Sequence, residues 1–284
     1  MPDCIRLDTP DAAAAVEPAL GGRIASLRLA RPGFEFFPAA PFGVEDHFPS
    51  VGGGRYPFAP YEKVAVAEGG DVRSRSWQAE TRDQTARLWV ADKRLGYKLE
   101  RRTSFATGTV LRTEYLLDNV ADEPLYFVWF ARITLPLRPG VRLEGLPEQA
   151  GWTPMRAAGP KAVQLSPLPT GLFDDPVERF PSGCAAGWFA PSRTRSCAWT
   201  DRAAGVRLRA EVSGGDSVAC TVGLVLDSSS EARSVSLLIG HGRTPDLSDA
   251  ARRPWPHSGC GRLDGLSARE WGLELCPEPA YTIG

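Results

Sequence analysis

An antiparallel all-β fold is what this sequence predicts, and three observations predict it. Short segments with a period of two recur from end to end of the 284 residues. Glycine and proline, at 29 and 25 residues, break the chain at short intervals. No long amphipathic stretch interrupts the pattern: only residues 245–253, PDLSDAARR, read as a helix, in a short Ser-capped turn.

The strands follow in order. RIASLRL (23–29), KVAVA (63–67), RSWQAET (75–81), ARLWVAD (86–92) and YKLERRTSF (97–105) each alternate or carry β-favouring residues. In TVLRTEYLLDN, Val110, Arg112, Glu114 and Leu116 share one face, and Leu111, Thr113, Tyr115 and Leu117 share the other. After the turn-rich NVADEP comes LYFVWFARI, apolar on both faces, so these two segments predict a hairpin. GVRLRAEV (205–212), ACTVGLVLD (219–227) and SVSLLIG (234–240) complete the series. Residues 136–184 are rich in proline and poor in paired apolar runs, which predicts a long excursion over one sheet face, either a rim to a site or plain cover. No composition shift or repeat divides the chain, so residues 1–284 are expected to form one domain.

Composition narrows the function. With 33 basic and 34 acidic residues there is no positive surplus to neutralise phosphates, so no nucleic-acid partner is expected. Apolar runs have strand length, short of the roughly 20 residues of a membrane helix, so no membrane association is expected. The opening MPDCIRLDTP lacks the cationic and apolar regions of a secretory signal, and the expected location is cytoplasmic. The 6 cysteines are scattered without a CxxC pair, and His47, His241 and His257 stand at no metal-ligand spacing, so no disulfide, metal or cofactor is expected.

One residue stands out against this background. Arg132 lies in YFVWFARITL (126–135), a segment otherwise apolar enough to be buried. A guanidinium is not deprotonated in a protein, so it needs a partner or a ligand. Alternation places Arg132 with Tyr126, Val128 and Phe130 on one face. Two partners are open to it: Glu114 across the predicted hairpin, or a ligand in a cleft.

VEPALGGRIASLRLARPGFEFF (16–37) resembles the opening of galactose mutarotase-like proteins, the aldose 1-epimerase superfamily. FPSVGGGRYPF (48–58), YLLDNVADEPLYFVWFARITLPLRPG (115–140), LLIGHGRTPDLSDAARR (237–253) and LDGLSAREWGLEL (263–275) are similar to further stretches of that superfamily. The resemblance implies an antiparallel β-supersandwich with a small-molecule sugar or sugar phosphate on a concave sheet face. It also implies anomer interconversion: a glutamate takes the anomeric proton while a histidine protonates the ring oxygen.

The matched segments depart from that chemistry. Arg132 falls at or beside the position of the family's catalytic histidine, Gly69 and Gly70 replace a second histidine, and Gly240-His241-Gly242 stands where the glutamate is expected. The resemblance therefore makes Arg132 and His241 the candidate acid–base set, with His241 alternatively a turn residue. Arg55 and Arg73 match arginines that contact sugar or sugar phosphate in relatives, and Trp77 and Trp152 are candidate stacking rings. EDHF (45–48) is expected as a loop whose Glu45, Asp46 and His47 either reach the concave face or are solvated. Two functions follow: a sugar-binding, aldose 1-epimerase-like isomerase with a non-standard acid–base set, or a catalytically silent carbohydrate-binding protein on the same fold. The sequence leaves the oligomeric state open.

Overall fold

The computed structural model describes residues 4–146, 152–154, 173–174, 176–179, 184–192, 195–214, 220–227, 233–243, 246–253 and 259–280. Two broad antiparallel sheets account for most of them. The first has nine strands in the order Ile5–Asp8, Ala12–Glu17, Arg23–Leu29, Gly43–His47, Trp129–Pro136, Ser234–His241, Cys220–Asp227, Cys184–Ser192 and Trp152–Pro154. The second has eight, ordered Val141–Glu144, Ser196–Asp201, Val206–Gly214, Ala268–Pro279, Val110–Asn119, Tyr97–Thr107, Thr85–Asp92 and Gln78–Arg82. Two ribbons sit outside them: Leu125–Phe127 with Gly261–Leu263, and Gly52–Arg55 with Ala65–Glu68. The predicted antiparallel β-supersandwich is the observed architecture.

Alternation explains how the sheets meet. Ala12–Glu17 and Val206–Gly214 bury every second residue, as strands with one covered face must. Ser234–His241 is buried at every position, so both faces of the nine-stranded sheet are covered at its centre. Inside the sandwich, Trp129 of the nine-stranded sheet packs on Tyr115 and Trp271 of the eight-stranded one, with ring centroids 4.9 and 5.2 Å away. Tyr115 and Trp271 are themselves stacked at 5.2 Å and 7°. Such pairs add about 0.5–1.5 kcal/mol each beyond the area they bury.

The predicted hairpin does not form. Val110–Asn119 lies in the eight-stranded sheet between Tyr97–Thr107 and Ala268–Pro279, whereas Trp129–Pro136 lies in the nine-stranded sheet between Gly43–His47 and Ser234–His241. A strand apolar on both faces gains most at a sheet centre covered twice, which a hairpin with an exposed outer face cannot offer. The connection is folded by Asn119, whose Nδ2 donates to the carbonyls of Glu123 at 2.7 Å and Asp264 at 3.1 Å. It then pauses in the Leu125–Phe127 ribbon before Val128 breaks the strand, so Arg132 and Tyr126 are not on one continuous face.

Smaller expectations also shift. EDHF is not a loop: Glu45, Asp46 and His47 belong to the strand Gly43–His47. The helix expected over 245–253 is the single turn Leu247–Ala250, and its cap is Asp246, whose Oδ1 accepts from the Ser248 amide at 2.8 Å. An Asp side chain accepts at that position as well as serine does. A short helix at Pro176–Arg179 and 3₁₀ turns at Pro18–Leu20 and Asp71–Ser74 had no sequence signal. Most of the 136–184 excursion lies outside the described residues. No helix among the described residues is long and apolar enough to cross a membrane.

Candidate functional site

The register of the nine-stranded sheet sorts the candidate residues onto two faces. Arg132 pairs with Glu45 on one side and Leu238 on the other, and Phe130 pairs with His47 and Gly240. Because side chains alternate, Glu45, His47, Phe130, Arg132, Thr134 and Ser236 share the outer face. Trp129 pairs with His241 and Ala131 with Asp46, so Asp46 and His241 point into the sandwich.

On the outer face the side chains touch. The His47 imidazole stacks on the Phe130 ring with centroids 4.5 Å apart and planes 15° from parallel. Arg132 Nε donates to Ser236 Oγ at 3.1 Å, and that hydroxyl lies 3.0 Å from Thr134 Oγ1. Arg73, from the 3₁₀ turn Asp71–Ser74, reaches over the sheet to Glu45 at 3.8 Å. Both partners of that pair keep solvent contact, so it contributes about 0–1 kcal/mol. Gly69 closes the group from above. Its φ is 75°, and a Cβ there would stand 2.5 Å from His47 Nδ1, so only glycine lets the backbone turn lie against the imidazole.

His47 is the unusual member. It is 5 % exposed, and neither ring nitrogen has a hydrogen-bond partner among the described residues. Burial pushes its pKa well below the usual value, and the charges of Arg132 and then Arg73 push the same way. The ring is therefore neutral at pH 7, offering one donor and one acceptor. A buried polar group left unpaired costs about 1–3 kcal/mol, which a hydroxyl-bearing ligand would recover. Counting Glu45 against Arg73 and Arg132 leaves this group of four with one positive charge in excess.

His241 is elsewhere. It lies 4 % exposed among Trp129 and Trp271, at 5.6 and 5.9 Å, inside the sandwich. Burial lowers its pKa to about 4, with smaller contributions from Arg195 and Arg269. Arg132 and His241 thus project from opposite faces of one sheet, and no single sugar ring can touch both. The structure does not bring that acid–base set together. The alternation of Trp129–Pro136 against Ser234–His241, read in register, is the signal that separates them.

The other candidates divide as well. Arg73 joins the cluster. Arg55 stands exposed at the end of the Gly52–Arg55 ribbon, and no hydrogen bond or ion pair among the described residues ties it to the cluster. Trp77 is 3 % exposed, its Nε1 donates to the Val72 carbonyl at 2.9 Å, and the Arg101 guanidinium covers its ring at 5.4 Å. It is a core residue beneath the Asp71–Ser74 turn rather than a platform for a sugar. Trp152 belongs to the strand Trp152–Pro154, paired in register with Phe189, and its side chain lies outside the described residues. Glu114 is exposed in the other sheet, opposite Arg102 and Gly272, so it is not the partner of Arg132.

Sequence reasoning missed the contribution of Phe130, Ser236 and Gly69. The stacking role of Phe130 and the acceptor role of Ser236 become visible only once the strand pairing is known.

No protein-family model and no curated protein matches the sequence. Solved structures do match in shape. A candidate aldose 1-epimerase from Escherichia coli K12 superposes with a TM-score of 0.73 at 13% identity, covering 98% of this chain and 99% of that one. A galactose mutarotase related enzyme from Lactobacillus acidophilus gives 0.68 at 14% identity, with 98% of each chain covered. A galactose mutarotase-like protein from Lactobacillus casei gives 0.65 at 14% identity, covering 97% of this chain and 100% of that one. Identity at this level shows a shared fold.

Proposed function

We propose that this chain, which has the galactose mutarotase-like fold, binds a sugar or sugar derivative on the outer face of its nine-stranded sheet. A sugar phosphate is the favoured class. The observation that carries this reading is the neutral, unpartnered His47 imidazole flanked by the guanidinium groups of Arg73 and Arg132. Arginine matches phosphate or carboxylate oxygens with paired donors, and imidazole and hydroxyl groups match sugar hydroxyls. Phe130 serves His47 by stacking, which holds the imidazole plane where it can meet a ligand.

A second reading is carried by Glu45, the carboxylate on that face beside His47. Anomer interconversion needs a base for the anomeric proton and a donor for the ring oxygen. Glu45 fits the first role and Arg132 the second, but arginine donates a hydrogen bond far more readily than a proton. Anomerisation on this set is therefore slow. The enzyme reading and the binding reading share one site and differ in rate.

Calorimetric titration with glucose, galactose, glucose 6-phosphate and inorganic phosphate tests the first reading. Binding of glucose 6-phosphate at least tenfold tighter than glucose supports it, and equal or undetectable binding of all four overturns it. Polarimetry with fresh α-anomer tests the second: a rate typical of efficient mutarotases would reverse the order of the two.

A further inference from the structure

Asp46 sits between Glu45 and His47 in the same strand and points the other way, into the sandwich, where it is 1 % exposed. Its Oδ2 accepts from Arg101 Nη1 at 2.7 Å, and its Oδ1 accepts from Tyr115 Oη at 2.8 Å and Trp129 Nε1 at 3.2 Å. Arg101 belongs to Tyr97–Thr107 of the opposite sheet and is equally buried.

That one guanidinium does more than pair. Its Nη2 donates to the Gly22 carbonyl, and its plane lies over Trp77 at 5.4 Å. The neighbouring Gly21 donates its amide to the Arg75 carbonyl at 3.0 Å, and a Cβ on Gly21 would collide with the Arg73 carbonyl. Arg101 therefore touches the strand of Glu45 and His47, the turn on which the Arg73 segment is seated, and the tryptophan that follows it.

We infer that the buried Asp46–Arg101 pair is a positioning device, fixing Glu45 and His47 on one side and Arg73 on the other in the geometry that receives the ligand. The inference rests on the ligand reading of that face. Strength alone does not explain the pair. Apolar side chains of the same volume hold two sheets together as well as or better than a buried ion pair. What the charges add is direction: a carboxylate with three donors and a guanidinium with two acceptors allow one placement of the strand and turn. Arg73 and His47 come from segments 26 residues apart, and no hydrogen bond between those two side chains holds them in place among the described residues.

The test compares Asp46→Asn/Arg101→Met with Arg101→Lys in protein labelled with ¹⁵N-histidine. The double variant leaves no buried charge, and its asparagine oxygen still accepts from Tyr115 and Trp129. Lysine reaches Asp46 without the second donor to Gly22. Two quantities are read: the imidazole signals of His47, assigned with His47→Gln, and the affinity for glucose 6-phosphate by calorimetry. The expected result is a folded double variant with displaced His47 signals and at least tenfold weaker binding, and an intermediate Arg101→Lys. Wild-type signals and wild-type affinity in either variant would overturn the inference. If the wild type itself does not bind glucose 6-phosphate, the ligand reading fails, and the His47 signals alone decide: displaced signals sustain the positioning role and unmoved signals end it. If the double variant does not fold, Arg101→Lys decides by the same signals.

Discussion

His47 and Phe130 face each other across adjacent strands, 4.5 Å between ring centroids, and this contact sets the imidazole beside Arg132 rather than in solvent. The ring is held neutral by burial and by two arginines, and both nitrogens are without a hydrogen-bond partner among the described residues. His47→Phe retains the stacking and removes the nitrogens. It is expected to leave thermal stability unchanged or raised by about 1 kcal/mol, because unpaired buried nitrogens are lost. Binding of glucose 6-phosphate is expected to weaken at least fivefold, read by calorimetry.

Arg132 separates a ligand role from a structural one. Its partners in the structure include Ser236 and not Glu114, so Glu114→Ala is expected to stay within about 0.5 kcal/mol of wild type in chemical denaturation. Arg132→Ala loses the hydrogen bond to Ser236 together with the other contacts of the guanidinium and is expected to cost about 1–3 kcal/mol, with more than tenfold weaker sugar phosphate binding. A loss of stability well above that range with unaltered binding would mean that Arg132 holds the sheet and not the ligand.

Part of the acid sensitivity resides inside the sandwich, at His241, alongside that of the buried His47 on the other sheet face. The His241 folded pKa of about 4 lies below the unfolded value near 6.5, so between those values the unfolded chain takes up a proton that the folded chain does not. Stability is therefore full above about pH 6.5 and falls as pH drops through that window, by about 3 kcal/mol for this group. His241→Phe, which cannot titrate, is expected to lose about that much less between pH 7 and pH 4. Urea denaturation of both proteins at the two pH values measures it, and equal losses would remove His241 from the cause.

Trp77 is a core residue, and its variant is expected to behave as one. Trp77→Ala opens a cavity under the Asp71–Ser74 turn and uncovers the Arg101 guanidinium, at a cost of about 3–5 kcal/mol. A sugar-stacking residue would instead lose binding with little change in melting temperature. Thermal denaturation beside a titration distinguishes the two.

Much of the fold was legible because period-two alternation survives wherever one sheet face is covered, as in Thr85–Asp92 or Val206–Gly214. Pairing was less legible. Neighbouring strands tend to pair, so LYFVWFARI was expected beside TVLRTEYLLDN, and the Asn119 connection instead carries the chain to the other sheet. The site was legible only in part for a related reason. Glu45-Asp46-His47 has the composition of a loop, but as a strand it sends Glu45 and His47 outward and Asp46 inward to Arg101. Trp77 is a sugar-platform candidate by its type and its place near Arg73, and only its hydrogen bond to Val72 and its cover by Arg101 mark it as core.

The most direct measurement of which sheet face takes the ligand uses the two histidines that project from opposite sides of one sheet. In ¹⁵N-histidine-labelled protein, with signals assigned by His47→Gln and His241→Phe, glucose 6-phosphate is added and the imidazole resonances are followed. The expected result is a saturable shift of the His47 signals with those of His241 unmoved. A saturable shift of His241 with His47 silent, or no shift of either at millimolar ligand, would contradict a sugar phosphate site on the face of Glu45, His47, Arg73 and Arg132.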